Sequence, residues 1–175
     1  MNWIPPEGSL IESVLTGEEI INFFADTELV SNCEEETFII GQKIAGLLTN
    51  GSVVAMRGTL GSGKTCLTKG IASGLKISET ITSPTYTIIS EYPLHDNILK
   101  KQQGISPALY HIDAYRLNNE EDFEQIGGSE IINSGGITII EWSERIEKSL
   151  PDNTINVTLE ISGPSSRLIK IQGLS

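Results

Sequence analysis

The segment Gly58–Thr65 carries the residues best suited to chemistry in this chain of 175 residues. It reads Gly-Thr-Leu-Gly-Ser-Gly-Lys-Thr, which matches the pattern Gly-x-x-x-x-Gly-Lys-Ser/Thr. Glycines let successive backbone N–H groups turn toward a phosphate without interference from a Cβ atom. Lys64 adds a full positive charge, and the hydroxyl of Thr65 is a hard oxygen ligand for Mg²⁺. The pattern predicts that this segment binds a nucleoside triphosphate with magnesium.

The residues on either side of this segment indicate the elements that hold it. Val53–Arg57 is a short apolar run, typical of a central parallel strand that is covered on both faces. After Lys64 the sequence favours a helix to about Ser73, with Gly74 as its C-cap. An ordinary glycine-rich turn would not need a strand before it and a helix after it, so we expect a functional loop.

Two acidic residues, Asp113 and Glu141, are candidates for the acid that a hydrolase needs near its metal. They end the apolar runs Ala108–Asp113 and Ile137–Glu141, and open α/β sheets bind ligands at the carboxyl ends of their strands. Either acid could bind magnesium, directly or through a water, or orient the attacking water. The spacing does not divide these roles between them. For His111 and for Trp142 the sequence favours packed positions over catalytic ones.

The remaining patterns predict a three-layer α/β domain over residues 34–175. Ile155–Ile161 alternates between apolar and polar residues, and a Gly-Pro turn then leads to Arg167–Ile171, which predicts an antiparallel C-terminal hairpin after a mostly parallel sheet. Thr37 is the expected N-cap of a helix. We also expect a strand in Tyr86–Tyr92, an exposed loop in Pro93–Pro107 and a helix in Asn118–Gln125. Residues 1–33 are interpreted as an acidic extension whose apolar residues at 11–24 could form an amphipathic helix.

The charge of the chain argues against stand-alone binding to nucleic acid. The formal net charge is −11, and residues 1–36 hold nine acidic residues and no basic one. Residues 37–175 then contain 14 acidic and 12 basic residues, without the basic stripe that neutralises a phosphate backbone. The sequence also has no apolar stretch of the roughly 18–20 residues that a membrane span requires, and no basic residue before Lys43. We therefore expect a cytoplasmic protein without membrane contact.

Four sequence segments together resemble the TsaE family, the bacterial ATPases of tRNA threonylcarbamoyladenosine biosynthesis. The resemblance covers roughly residues 34–172. The segments are Gly58–Thr65, Ser83–Thr87 (Ser-Pro-Thr-Tyr-Thr), Tyr110–Leu117 (Tyr-His-Ile-Asp-Ala-Tyr-Arg-Leu), and Ile140–Trp142 followed by Leu150-Pro151.

The resemblance implies a P-loop NTPase-like fold and the use of ATP and Mg²⁺. It implies ATP hydrolysis that supports a complex of TsaB with TsaD, which installs threonylcarbamoyl on adenosine 37 of tRNA, so that tRNA is involved only indirectly. Lys64, Asp113 and Glu141 would be catalytic, and Thr65, Glu141 and Asp113 would form the metal site. The implied nucleotide-binding residues are Glu34, Thr37, Gly58, Thr59, Leu60, Gly61, Ser62, Gly63, Lys64, Thr65, Cys66, Thr85, Glu144 and Arg167.

Other nucleotide-binding classes fit the sequence less well. A signalling GTPase would need an Asn-Lys-x-Asp segment, and no Asn-Lys pair occurs in the chain. A small-molecule kinase usually carries an arginine-rich lid, whereas this chain has only four arginines. A nucleotide-sensing module with little hydrolysis stays open as an alternative, because we expect turnover to be slow without the partners.

Overall fold

A computed structural model describes residues 27–84, 86–94 and 108–173 of the chain. The helix predicted within residues 11–24 and most of the loop predicted in Pro93–Pro107 therefore lie outside the described residues. Within those ranges, no helix has both the length and the apolar character needed to cross a membrane.

One mixed sheet runs through the described part of the chain. Its strands are β1 Thr27–Ser31, β2 Val53–Arg57, β3 Ile89–Pro93, β4 Ala108–Asp113, β5 Ile137–Glu141, β6 Ile155–Ile161 and β7 Arg167–Gln172. Their order across the sheet is β1-β7-β6-β2-β5-β4-β3. The central strands β6, β2, β5 and β4 are mutually parallel, as predicted. The antiparallel pair β6–β7 confirms the predicted C-terminal hairpin, and β1 and β3 add an antiparallel strand at each edge.

Helices cover both faces of the central strands. Alternation along β2 sends Val54 and Met56 into a cluster with the two longer helices, and Val53 into a cluster with the two shorter ones. Both clusters consist largely of Ile, Leu and Val, whose branched side chains pack well on a pleated surface. The helices are α1 Glu34–Ala45, α2 Lys64–Gly74, α3 Glu120–Gln125 and α4 Gly128–Ile132, with short 3₁₀ turns at Ala114–Arg116, Ser143–Arg145 and Glu147–Ser149.

Glycines let α1 and α2 approach each other closely. A Cβ atom on Gly70 would lie 2.1 Å from the carbonyl oxygen of Phe38, and one on Gly74 would lie 2.5 Å from the Cβ of Ala45. Gly74 is therefore a packing residue at the end of α2, and the predicted C-cap at this position is wrong because Leu75 takes that place.

The amino-terminal boundary of the domain differs from the prediction. α1 begins at Glu34 with Cys33 as its N-cap, so the assignment of Thr37 as N-cap is wrong. Three glutamates in its first turn suit the positive end of the helix dipole, and they allow this earlier start. The sheet also begins inside the segment assigned to the extension, because β1 pairs with β7 from Thr27 opposite Ile171 to Ser31 opposite Arg167.

Candidate functional site

A cavity of about 750 Å³ opens where β2, β4 and β5 end. The glycine-rich segment leaves β2 here, and Asp113 and Glu141 are the last residues of β4 and β5. Both acids are buried and line the cavity, as do Lys64 and Thr65 at the start of α2. The parallel strands thus bring together the loop and both acids that the sequence singled out.

The shape of the loop depends on glycine at two positions. Gly58 has φ +146°, and a Cβ atom there would lie 2.4 Å from the carbonyl oxygen of Leu159. Gly63 has φ +105° and directly precedes α2. The first N–H groups of a helix have no acceptor within it, and this end of α2 lines the cavity. Unpaired amides together with the positive end of the helix dipole are suited to an anion.

Lys64 is folded back across the mouth of the loop. Its ammonium donates to the carbonyl oxygens of Gly58, at 2.5 Å, and of Thr59, at 3.1 Å. The same Nζ lies 3.8 Å from the centre of the Trp142 ring. Burial lowers the pKa of Lys64, while the carboxylates of Glu141, Glu144 and Asp113 oppose that shift.

Side chains from α2 and β4 hold the Glu141 carboxylate. Thr65 donates from Oγ1 to Oε2 at 3.1 Å, so a hydroxyl and a carboxylate oxygen lie side by side in the cavity. The other oxygen, Oε1, lies 2.9 Å from Nε2 of His111 and 3.4 Å from Oγ1 of Thr68, whose hydroxyl also donates to the carbonyl oxygen of Lys64 at 3.1 Å. His111 is fully buried, which agrees with the packed position that the sequence favoured.

Asp113 has different neighbours, although it lies opposite Glu141 in the β4–β5 register. Its Oδ2 accepts from Ser83 Oγ at 2.9 Å, and its Oδ1 accepts from the backbone N–H of Tyr115 at 3.0 Å. Its own N–H donates to the carbonyl oxygen of Ile88 at 2.8 Å. Asp113 therefore holds the segment around Ser83, whereas Glu141 faces Thr65.

Arg167 supports the glycine-rich loop from the first position of β7. Its Nε donates to Ser62 O and its Nη2 to Gly61 O, each at 3.1 Å. A planar guanidinium can bond two adjacent carbonyl oxygens in this way, which an ammonium group does less well.

The other implied binding residues divide into three groups. Glu34, Thr37 and Cys66 line the cavity together with Leu60, Gly61, Ser62 and Gly63. Gly58 and Thr59 contact Lys64 through their carbonyl oxygens but do not line the cavity. Glu144 is exposed and does not line it either, and Thr85 lies outside the described residues.

The thiol of Cys66 is partly buried on the α1 side of the cavity. Its Sγ donates to the carbonyl oxygen of Glu34 at 3.3 Å. Burial, with a smaller contribution from the Glu34 carboxylate, raises the pKa of the thiol to about 11.

Two aromatic residues at the cavity were not predicted there. Trp142 has φ +60°, a left-handed conformation that bulky residues rarely adopt, and its ring lies 5.0 Å from that of Tyr115. Both line the cavity, and Trp142 also packs against the core cluster that contains Val53, so its packed position is confirmed and its place at the cavity is a further finding. Its position directly after Glu141 was the available signal. Four further residues at the site were not predicted from the sequence: Thr68, which contacts Glu141, and Cys33, Pro164 and Ser165, which line the cavity.

The described part of the chain defines a mixed α/β protein built on one sheet, and its candidate site lies at the carboxyl ends of the parallel central strands. The family model described as "Threonylcarbamoyl adenosine biosynthesis protein TsaE" matches residues 31–169. The chain belongs to the TsaE family, which confirms the resemblance drawn from its motifs.

Individual relatives agree with this assignment. The tRNA threonylcarbamoyladenosine biosynthesis protein TsaE of Treponema pallidum is 39% identical over 142 residues, which are 81% of this chain and 97% of that protein. The Bacillus subtilis protein of the same name is 37% identical over 135 residues, 77% of this chain and 78% of its own length. The crystal structure of Bacillus subtilis YdiB is similar with a TM-score of 0.67 and 29% identity, and the match covers 86% of each chain.

Proposed function

We propose that this chain binds ATP and Mg²⁺ in the cavity through a P-loop and hydrolyses ATP in tRNA threonylcarbamoyladenosine biosynthesis. The names of its relatives support the pathway. The observation that carries the chemistry is the placement of Lys64 and Thr65, at the start of α2, beside Glu141.

The loop fits the phosphate tail of a nucleotide. Its glycines keep Cβ atoms away from the backbone, and the start of α2 offers unpaired N–H groups. Among the residues that the structure describes, the ammonium of Lys64 contacts two carbonyl oxygens and an aromatic face, and no carboxylate there forms a hydrogen bond with it. A phosphate would give this buried ammonium an opposite charge, so we expect Lys64 to leave Gly58 and Thr59 and turn toward the β- and γ-phosphates.

Thr65 and Glu141 fit a magnesium ion. Mg²⁺ keeps several waters and needs only one or two protein oxygens besides the phosphates. A hydroxyl and a carboxylate oxygen 3.1 Å apart supply such a pair. Within the described ranges, no group of three or more His, Cys, Asp or Glu side chains could hold a metal ion. The bound ion would neutralise charge on the phosphates.

Asp113 is the better candidate for orienting the attacking water. It is buried at the cavity wall, and its two oxygens accept from Ser83 and from the N–H of Tyr115, a different set from that of Glu141. We therefore propose that Glu141 serves the metal and Asp113 the water, a division that the sequence left open.

We include in this proposal the partners and the location expected from the sequence. The chain acts with TsaB and TsaD in the cytoplasm and contacts tRNA only indirectly. Its formal net charge of −11 supports an indirect role, because a direct RNA contact would need positive charge near the phosphates.

The ATPase rate, measured with and without TsaB and TsaD, tests this proposal. We expect slow turnover alone and faster turnover with the partners, and we expect Lys64→Ala to lose tight nucleotide binding. Lys148→Ala, which removes an exposed lysine, is the matched control. Full ATP affinity in Lys64→Ala, or partner-independent phosphorylation of a small metabolite, would overturn the proposal.

A second set of variants distinguishes the proposed roles of Glu141 and Asp113. Glu141→Gln should raise the Mg²⁺ concentration needed for turnover, because it removes the charge beside Thr65. Asp113→Asn should lower kcat and leave the Mg²⁺ requirement close to that of the unsubstituted protein. The reverse pattern would exchange the two roles.

A further inference from the structure

The best-defined polar contact below the cavity joins His111 to Glu141. His111 is fully buried, and its Nε2 lies 2.9 Å from Glu141 Oε1. His111 precedes Asp113 by two residues on β4, so both side chains lie on the same face of the strand. Asp113 lines the cavity, whereas His111 does not and reaches Glu141 from one layer further in.

We propose that His111 is a positioning residue, which fixes one oxygen of the Glu141 carboxylate so that the other faces Thr65 and the magnesium site. The inference rests on the proposed function. It concerns the orientation of a metal ligand, and not the uptake or release of a proton by His111.

The hydrogen-bonding capacities of the two groups define the direction of this bond. A carboxylate can only accept, so Nε2 must carry the hydrogen. The other ring nitrogen, Nδ1, is buried and has no partner among the described residues. A buried polar atom without a partner costs free energy. Burial of Nδ1 is therefore unfavourable in free energy. Within the described part of the chain, the one hydrogen bond of the ring is to Glu141.

The contacts of the carboxylate are divided between its two oxygens. Oε1 lies at the inner contacts, 2.9 Å from His111 Nε2 on β4 and 3.4 Å from the Thr68 hydroxyl on α2. The Thr68 hydroxyl has a nearer acceptor in the carbonyl oxygen of Lys64, at 3.1 Å, so His111 is the main donor to Oε1. Oε2 takes the contact at the cavity, from Thr65. Rotation of the carboxylate out of this orientation would break the bond from His111, so that bond keeps Oε2 directed at the cavity. Side chains that orient a metal ligand in this way typically change metal affinity about 10- to 100-fold when they are replaced.

Two substitutions at one position test the proposal. His111→Leu removes the donor and keeps an apolar side chain, whereas His111→Gln keeps an N–H donor at a similar distance from the backbone. Binding of ATP is measured by calorimetry in EDTA and then at increasing Mg²⁺ concentrations. For His111→Leu we expect a Mg²⁺ requirement raised about 10-fold or more and an affinity in EDTA within about twofold of the unsubstituted protein. His111→Gln should recover most of the Mg²⁺ dependence.

Thr138→Val is the matched control. Thr138 is buried on the opposite face of β5 from Glu141, and its hydroxyl has no partner among the described residues. This substitution also replaces a buried polar group with an apolar one, and it should leave the Mg²⁺ requirement unchanged. Thermal unfolding shows which variants fold. If His111→Leu does not fold, His111→Met removes the donor with a more flexible apolar side chain and should raise the Mg²⁺ requirement in the same direction.

The outcomes distinguish this inference from the proposed function. An unchanged Mg²⁺ requirement in a folded His111→Leu protein, or an equal loss of affinity with and without Mg²⁺, overturns the positioning role alone. If the unsubstituted protein binds ATP without any dependence on Mg²⁺, the proposed function is overturned and this inference with it.

Discussion

Lys64 and Trp142 are stacked, with the ammonium 3.8 Å from the centre of the indole ring. The residue that covers the lysine directly follows Glu141, so one short segment contributes both the acid proposed for the metal site and the ring that covers the lysine proposed to bind phosphate. Desolvation strengthens such a contact, because an indole face attracts a cation more when water does not compete.

A double-mutant cycle measures this contact. We expect a coupling of about 0.5 to 2 kcal/mol in the free energy of unfolding between Lys64→Met and Trp142→Leu, as for other cation–π pairs. The measurement is urea unfolding of the unsubstituted protein, both single variants and the double variant. The same cycle with Lys148→Met in place of Lys64→Met should give no coupling. Additive effects at Lys64 and Trp142 would show that the stacking contributes nothing to stability.

Arg167 offers a test of how the loop is held. Arg167→Met should weaken nucleotide binding about 10-fold or more, because hydrogen bonds from a charged group contribute about 1.5 to 3 kcal/mol each and two loop carbonyls lose their donor. Amide hydrogen exchange should become faster in Gly58–Thr65. Arg57→Met, which breaks a surface pair with Glu147, is the control and should leave both quantities unchanged. If amide hydrogen exchange in Gly58–Thr65 were as slow in Arg167→Met as in the unsubstituted protein, Arg167 would not hold the loop.

The close contact between α1 and α2 predicts a large effect of one methyl group. Gly70→Ala would place Cβ 2.1 Å from the carbonyl oxygen of Phe38, and we expect it to destabilise the protein by about 1 to 3 kcal/mol, as overpacking does. Gly46→Ala is the matched control, since Gly46 has φ −66° and its nearest neighbour would be 3.4 Å away. Its effect on urea unfolding should be small or stabilising. Equal urea midpoints for the two variants would show that α1 and α2 can move apart without a loss in the free energy of unfolding.

The raised pKa of Cys66 predicts slow alkylation. The thiolate is the reactive form, so at pH 8 a thiol with a pKa of about 11 should react about 100-fold more slowly than one with the ordinary value of 9.0. The rate should rise as the pH approaches 11, where the folded protein begins to form the thiolate. Iodoacetamide labelling followed by peptide mass spectrometry measures the rate, with the protein unfolded in guanidinium as control. A folded-state rate at pH 8 that equals the unfolded rate would contradict the protection.

The sequence predicted most of the elements that build the site. The apolar runs of β2, β4, β5 and the alternation of β6 predict these strands with their observed bounds, because burial on one or both faces leaves a clear pattern. The glycine-rich segment and the start of α2 follow from a motif of fixed spacing.

Features that depend on long-range register were not predictable. β1 has only five residues, and its partner β7 follows it by more than a hundred residues. Glu28 and Val30 of β1 face outward, so the strand lacks a strong pattern. The contact between His111 and Glu141 likewise depends on the pairing of β4 with β5, which no local pattern specifies.

The pairing of β1 with β7 has a consequence for shortened forms of this protein. β7 begins at Arg167, whose side chain holds the glycine-rich loop, and β1 satisfies the backbone groups along the outer side of that strand. Deletion of the first 31 residues would leave those backbone groups unpaired. A strand with an unpaired edge can pair with strands of other chains. Shortened forms that begin at α1 would therefore self-associate, and they would do so next to the glycine-rich loop.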